Sequence, residues 1–204
     1  MKILGLELSS AQGSIAFTDE DGEPFCVSFP NDRKDSGLFF RHLQTCLERF
    51  GQPDRIVIGL GPGSYAGTRI AIATATGLAA ASGAQLAGVP SYCAIETEAI
   101  EYVVIGDARR QSYFLARVQS RRPLEEPTLC TEQELGQRLR EIDVPVFATE
   151  ALPPFATAEV RHPSARLLSR IQSAIATQPL EPIYLRPPHI TQQKTRPMIL
   201  GPKT

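Results

Sequence analysis

The sequence predicts an α/β protein of two similar lobes, each a mixed sheet with helices packed on it. Three observations point there. Three opening strands give way to alternating helices and strands, the order of a sheet covered by helices and not of an all-β sandwich. A second strand, turn and strand over Tyr102–Gln119 repeats the opening of the chain, with Glu7 and Asp107 ending the matching first strands at an offset of 100 residues. A glycine loop, Gly59-Leu60-Gly61-Pro62-Gly63-Ser64-Tyr65-Ala66-Gly67-Thr68-Arg69, stands between an apolar strand and a small-residue helix.

Taken in order, Ile3–Leu8 and Ser14–Thr18 read as strands around Ser9-Ser10-Ala11-Gln12-Gly13, and the turn signal Asp19-Glu20-Asp21-Gly22 precedes a third strand over Glu23–Phe29. After Ser36, a helix N-cap, the apolar residues Leu38, Phe39, Leu43, Cys46, Leu47 and Phe50 recur at helical spacing up to Gly51, with Pro53 beyond. Arg55–Leu60 reads as a buried strand, Thr68–Ser82 as a helix closed by Gly83, and Gln85–Val89 as a further strand. In the second half, Tyr102–Gly106 and Ser112–Gln119 are strands. Thr131-Glu132-Gln133-Glu134 is a capping box opening a helix over Glu132–Glu141. Val144–Ala148 is a short strand, Thr149–Pro163 a loop, and Ser164–Thr177 carries helical spacing. The expected organisation is a first lobe over residues 1–100, a smaller second lobe over 101–185 and a basic, proline-containing tail over 186–204.

Composition narrows the function classes. The chain has 204 residues, 42% of them hydrophobic, enough for a real core. With 21 Lys and Arg against 22 Asp and Glu, its net charge of -1 gives no global pull toward nucleic acid, membrane or acidic substrate. Cys26, Cys46, Cys93 and Cys130 lie far apart without zinc-ligand spacing, as expected of reduced thiols. Glu7 interrupts the apolar start where a signal peptide needs a continuous run, and no segment approaches the ~18 apolar residues of a membrane span. A cytoplasmic protein is the expectation.

The glycine loop carries the chemistry that remains. Gly61, Gly63 and Gly67 can adopt backbone angles closed to other residues, and amides before Thr68 would point out of a helix N-terminus, where phosphate is welcome. The loop is neither a P-loop, since no Lys-Ser/Thr pair follows its last glycine, nor GxGxxG. It serves either as an anion cradle or as a close-packed strand-to-helix turn. The helix behind it, with Ala71, Ala73, Thr74, Ala75, Gly77, Ala79, Ala80 and Ala81, is smooth enough for close approach by another helix or for burial in its own domain. The three histidines, His42, His162 and His189, cannot share a helix face, so no metal site is expected.

Ile3-Leu4-Gly5-Leu6-Glu7-Leu8-Ser9-Ser10, the loop from Gly61 to Arg69 with Ile70–Ala79, Gly88-Val89-Pro90-Ser91, Asp107-Ala108-Arg109-Arg110 and Pro182-Ile183-Tyr184-Leu185-Arg186 together resemble the TsaB (YeaZ) family. The Gly-Pro-Gly-Ser-aromatic-x-Gly-x-Arg segment is the specific part. The resemblance implies an actin-like ATPase fold (the sugar kinase, Hsp70 and actin superfamily) of two similar lobes. It also implies a non-catalytic subunit that binds TsaD, the enzyme threonylcarbamoylating adenosine 37 of tRNAs that read codons beginning with A, with the ATPase TsaE as a further partner.

The family usually has Asp where this chain has Glu7, and the extra methylene displaces the carboxylate from a magnesium-holding position. Glu7, Gly61, Gly63, Ser64, Gly67, Thr68 and Asp107 are therefore candidates for a vestigial nucleotide site, with no cofactor beyond weak or vestigial ATP and magnesium binding. The resemblance further implies docking of TsaD on first-lobe helices, with Leu38, Phe39, Leu43, Leu47, Ala73, Thr74, Gly77 and Leu78 as the candidate face, some of which must instead meet the sheet. The same helices would serve a homodimer. Contact with tRNA is expected to be indirect or weak, the four dispersed charges of the tail being a faint footprint. The alternatives are an independent actin-like phosphotransferase that uses Glu7, Asp107 and the loop to bind ATP and magnesium, and, more remotely, a metallopeptidase.

Overall fold

Residue alternation builds the first sheet. In β1 (Ile3–Glu7) Leu4 and Leu6 face one way, while Ile3, Gly5 and Glu7 face the other. In the computed structural model, which describes residues 1–19, 24–31, 37–171 and 180–186, β1 pairs antiparallel with β2 (Gln12–Thr18), placing Glu7 opposite Ser14. β2 pairs with β3 (Phe25–Pro30), and β1 runs parallel to β4 (Arg55–Gly59), which runs parallel to β5 (Gln85–Val89). The strand order is β3-β2-β1-β4-β5. Helices α1 (Gly37–Phe50) and α2 (Tyr65–Ser82) cover the leucine face, where Leu4, Leu6, Ile15, Ile56 and Ile58 pack with Phe39, Leu43, Cys46, Ala71 and Ala75.

The second sheet repeats the plan. β6 (Glu101–Asp107) pairs antiparallel with β7 (Tyr113–Gln119), against which the short strands β8 (Arg122–Pro123) and β9 (Thr128–Cys130) lie. On its other side β6 runs parallel to β10 (Val146–Ala148), which runs parallel to β11 (Glu159–Val160). Hairpin, then parallel neighbours on the far side of its first strand, is the topology of the first lobe, so the fold is two mixed sheets flanked by helices, as the actin-like reading expects. Helix α3 (Glu132–Leu139) covers the outer face with Leu135. Its capping box forms as the sequence predicts, Thr131 Oγ1 accepting from Glu134 N–H and the Glu134 carboxylate accepting from Thr131 N–H. Between the sheets lies a third cluster, Val57 and Val89 meeting Tyr102, Val104, Phe114 and Leu168. Buried Tyr102 donates its hydroxyl to the carbonyls of Tyr92 and Cys93, tying the connection after β5 to the second sheet.

The lobes differ where one helix is missing. The first lobe joins β4 to β5 with the 18-residue α2; the second joins β10 to β11 through a 3-10 turn at Pro153–Phe155, where consecutive prolines withhold the amides a helix needs. The stretch expected to be loop over 149–163 thus contains that turn and β11. The helix predicted over Ser164–Thr177 is, as described, only α4 (Ala165–Leu168), because the chain turns at Ser169, whose hydroxyl donates to Arg166 O. The rest of that prediction over 172–179, the turn residues 20–23, the expected cap Ser36 and the tail beyond Arg186 fall outside the described residues.

α4 belongs to the later part of the chain yet seats on the first sheet. Ala165 N–H donates to Ser14 Oγ (2.9 Å), and a Cβ on Gly5 would stand 2.4 Å from Ala165 O. Gly5, Ser14 and Ala16 are small because a helix backbone presses there. Replacing Gly5 with Ala forces a backbone shift and costs about 2 kcal/mol, lowering Tm by about 6 °C. Gly77→Ala, on an exposed helix face with nothing within 4 Å of the new Cβ, is expected to stabilise by about 1 kcal/mol. Thermal unfolding of the two variants beside the parent checks both signs.

Candidate functional site

Glu7 and the glycine loop meet at the end of β1, whereas Asp107 stands at the end of β6 in the second sheet. The glycine loop leaves β4 at Gly59, crosses the β1–β2 turn and enters α2. Ser64 caps that helix, its hydroxyl accepting from Gly67 N–H, so α2 begins at Tyr65, three residues before the predicted start, and closes at Gly83 with φ 78°. Gly67 and Thr68 therefore lie in the first helical turn.

The glycines are explained by what they touch. A Cβ on Gly67 would meet Leu8 O at 2.1 Å, one on Gly63 would meet Ser9 O at 2.1 Å, and one on Gly59 would meet Glu7 Oε2 at 1.8 Å. Gly61 holds φ 86°. Four of the loop's donors are spent inside the fold: Ser64 N–H on Ser9 O (2.6 Å), Gly61 N–H on Ser91 Oγ (2.9 Å), Gly67 N–H on Ser64 Oγ, and Thr68 N–H on Ser64 O (3.0 Å). Of the two readings that the sequence left open, this geometry is that of a close-packed turn, with four amides committed to protein acceptors.

Two residues outside the sequence-derived candidates complete the arrangement. Ser91, buried after β5, accepts from Gly61 N–H and donates its own amide to Gly61 O (2.8 Å). Asn31 spans the β1–β2 turn, its side-chain amide donating to Leu8 O and Ser10 O. The Pro90-Ser91 dipeptide was within the motif, but nothing in the sequence marks Asn31.

Glu7 and Asp107 play the same local role in the two lobes. Glu7 Oε1 accepts from Ser9 N–H (2.6 Å) and Asp107 Oδ1 from Arg109 N–H (2.7 Å), each a carboxylate closing the turn two residues on. Their surroundings differ. Asp107 is partly exposed and pairs its second oxygen with the Arg109 guanidinium, while its own N–H donates to Glu150. Glu7 is fully buried, and its Oε2 has no hydrogen-bond partner. Burial pushes its pKa above the usual 4.5, against the opposing pull of the neighbouring Ser9 and Ser91. No hydrogen bond or ion pair joins Glu7 to Asp107 among the described residues, nor do three or more His, Cys, Asp or Glu side chains there group at metal-binding distance.

On the proposed partner face the structure separates the candidates. Phe39 and Leu43 are core residues, packed on the sheet with Phe29 and Ile15 because they occupy the inward stripe of α1; Leu38 and Leu47 are half-buried beside them. On α2 the inward stripe is Gly67, Thr68, Ala71 and Ala75. Ala73 and Gly77 are exposed, and Thr74 and Leu78 are half-buried. No described helix is long and apolar enough to cross a membrane.

A carboxyl whose folded-state pKa is raised keeps its proton to higher pH in the native state than in the unfolded chain. The stability it contributes is complete below about pH 4.5 and is lost as the pH rises toward the folded value. Glu7→Gln keeps the shape and removes the titration. Urea unfolding between pH 4.5 and 8 should show the variant gaining on the parent as the pH rises; parallel curves would mean that Glu7 folds as the carboxylate.

Residues 39–129, which include most of α1, the loop and α2, match the family described as TsaD, tRNA N6-adenosine threonylcarbamoyltransferase. An uncharacterized protein from Mycobacterium tuberculosis (strain ATCC 25618 / H37Rv) and another from Mycobacterium bovis are each 32% identical over 139 residues, 66% of this chain. The match spans 65% of the length of those curated relatives. Two solved structures from Pseudomonas aeruginosa share the fold: an uncharacterized protein with similarity to peptidase YeaZ (TM-score 0.71, 20% identity, 91% of this chain and 99% of that one) and YeaZ itself (TM-score 0.67, 20% identity, 90% and 99%). This chain is thus similar to TsaD-type sequence across the glycine loop and shares the fold of YeaZ across nine-tenths of its length.

Proposed function

We propose that this chain is a non-catalytic scaffold of tRNA threonylcarbamoyladenosine synthesis in the cytoplasm. It docks a TsaD-type catalytic subunit on the outward surface of α1 and α2, with TsaE joining the assembly and tRNA meeting it indirectly. In the absence of TsaD, two copies pair through the same helices.

The observation that carries the reading is the surface of α2. Ala73, Thr76, Gly77 and Ala80 are all exposed, and a Cβ on Gly77 would meet nothing within 4 Å. A helix with so little side-chain relief lets a partner helix approach closely. Alongside it, α1 carries half-exposed Phe40 and a shallow groove of about 430 Å³ along Leu43 and Leu47. The inward stripe of each helix already satisfies its own sheet, so this outer face is available. The enclosed Glu7 carboxyl favours a scaffold over a phosphotransferase, whose metal needs an accessible carboxylate, and four of the loop amides already serve protein acceptors.

Gly77→Arg tests the surface cleanly, because the side chain enters open space and leaves the fold intact. The parent chain should form a defined complex with purified TsaD by size-exclusion chromatography, and the variant should bind at least tenfold more weakly by calorimetry. Equal binding of parent and variant would move the interface elsewhere. With ATP and magnesium the parent should give no heat at millimolar nucleotide, whereas micromolar binding abolished by Glu7→Ala would favour the phosphotransferase.

A further inference from the structure

A second surface lies away from the outward faces of α1 and α2, where the edges of the two sheets meet. The connection after β5, the loop between β8 and β9 and residues 183–185 enclose a crevice of about 520 Å³. Ile183 is held there by its N–H donating to Leu60 O (2.8 Å). Its walls mix polar with apolar and aromatic surface, with Tyr92 buried and Leu124 and Tyr184 each 47% exposed. From Tyr184 the aromatic surface continues to Tyr65, 60% exposed, with ring centroids 5.7 Å apart. Two consecutive acids, Glu125 and Glu126, also line the crevice; both are exposed and neither is in an ion pair among the described residues.

The geometry points to a docking groove for an extended peptide segment of a partner chain that carries lysine or arginine between apolar residues. The paired carboxylates repel phosphate, which disfavours nucleotides and nucleic acid, and attract a cation. The exposed tyrosine faces suit the same cation: Arg69 already lies 5.0 Å above the Tyr65 ring. Pro90, Pro123 and Pro127 offer no amide donors along the crevice, so recognition runs through side-chain pockets and stacking and not through strand addition. Leu124 and Tyr184 carry the apolar area beyond the crevice, as a chain longer than a single cationic group requires.

The test is a library of random dodecapeptides displayed on phage and selected against the full chain, followed by titration of the best sequence as a synthetic peptide. With five tyrosines and no tryptophan, the intrinsic emission reports directly on rings such as Tyr92 and Tyr184. Selected sequences should carry Lys or Arg beside Pro or an apolar residue, and affinity should fall as salt rises. The E125K/E126K variant, changed only at exposed positions, should bind at least tenfold more weakly with unchanged thermal unfolding, and Tyr184→Ala should weaken binding too. Gly77→Arg should leave this binding intact, which separates the groove from the proposed TsaD surface. Failure to enrich any sequence, enrichment of neutral or acidic peptides, or equal binding by E125K/E126K would overturn the proposal. So would a dimer in sedimentation that the double change dissolves, which would give the groove to a second copy.

Discussion

The structure depends on how closely backbone can approach the end of β1. Leu8 and Ser9 present their carbonyl oxygens to the glycine loop, and no residue with a Cβ fits at Gly63 or Gly67 without entering them. That contact places Ser64 to cap α2, and the cap sets the rotation that turns Ala71 and Ala75 toward the sheet. On the opposite face of β1, Gly5 admits the carbonyl of Ala165 in the same way. One strand thus receives a helix on each face, and glycine makes both contacts possible.

Glu7 is the polar consequence of this crowding. Its longer side chain occupies the space left by the missing Cβ of Gly59, against Ser9 and Ser91, where water does not reach. A buried carboxyl with one unsatisfied oxygen is tolerated most cheaply when protonated. Asp107, at the corresponding place in the second lobe, closes the same kind of turn at a partly open edge and pairs with Arg109. The two lobes share a hairpin, a carboxylate and a topology, but the first is closed by α2 and the second is not.

That asymmetry distributes the surfaces. With only the turn at Pro153–Phe155 where α2 has its counterpart, the second lobe presents no equivalent smooth helix at that place, and the later chain returns through α4 and Ile183 to pack on the first lobe. The inter-sheet core of Val57, Val89, Tyr102 and Phe114 is shared by both lobes. The outward helical face and the acidic, aromatic crevice at the sheet edges are therefore separate surfaces on one continuous scaffold.

Periodicity made most elements legible, because apolar alternation and helical stripes are local consequences of burial: β1, β2, α1, the Thr131 capping box and the Gly83 terminus all follow from near neighbours in sequence. The repeat was also visible, since Glu7 and Asp107 end like strands. Tertiary structure alone decided what the glycine loop packs against, because the carbonyls that exclude a Cβ belong to Leu8 and Ser9, more than fifty residues earlier. It decided that Asn31 and Ser91 complete that turn, that Phe39 and Leu43 pack into the core, and that the described helix after Ser164 is short and seats on the first sheet. Local pattern records that a residue is buried; only the folded chain records against what.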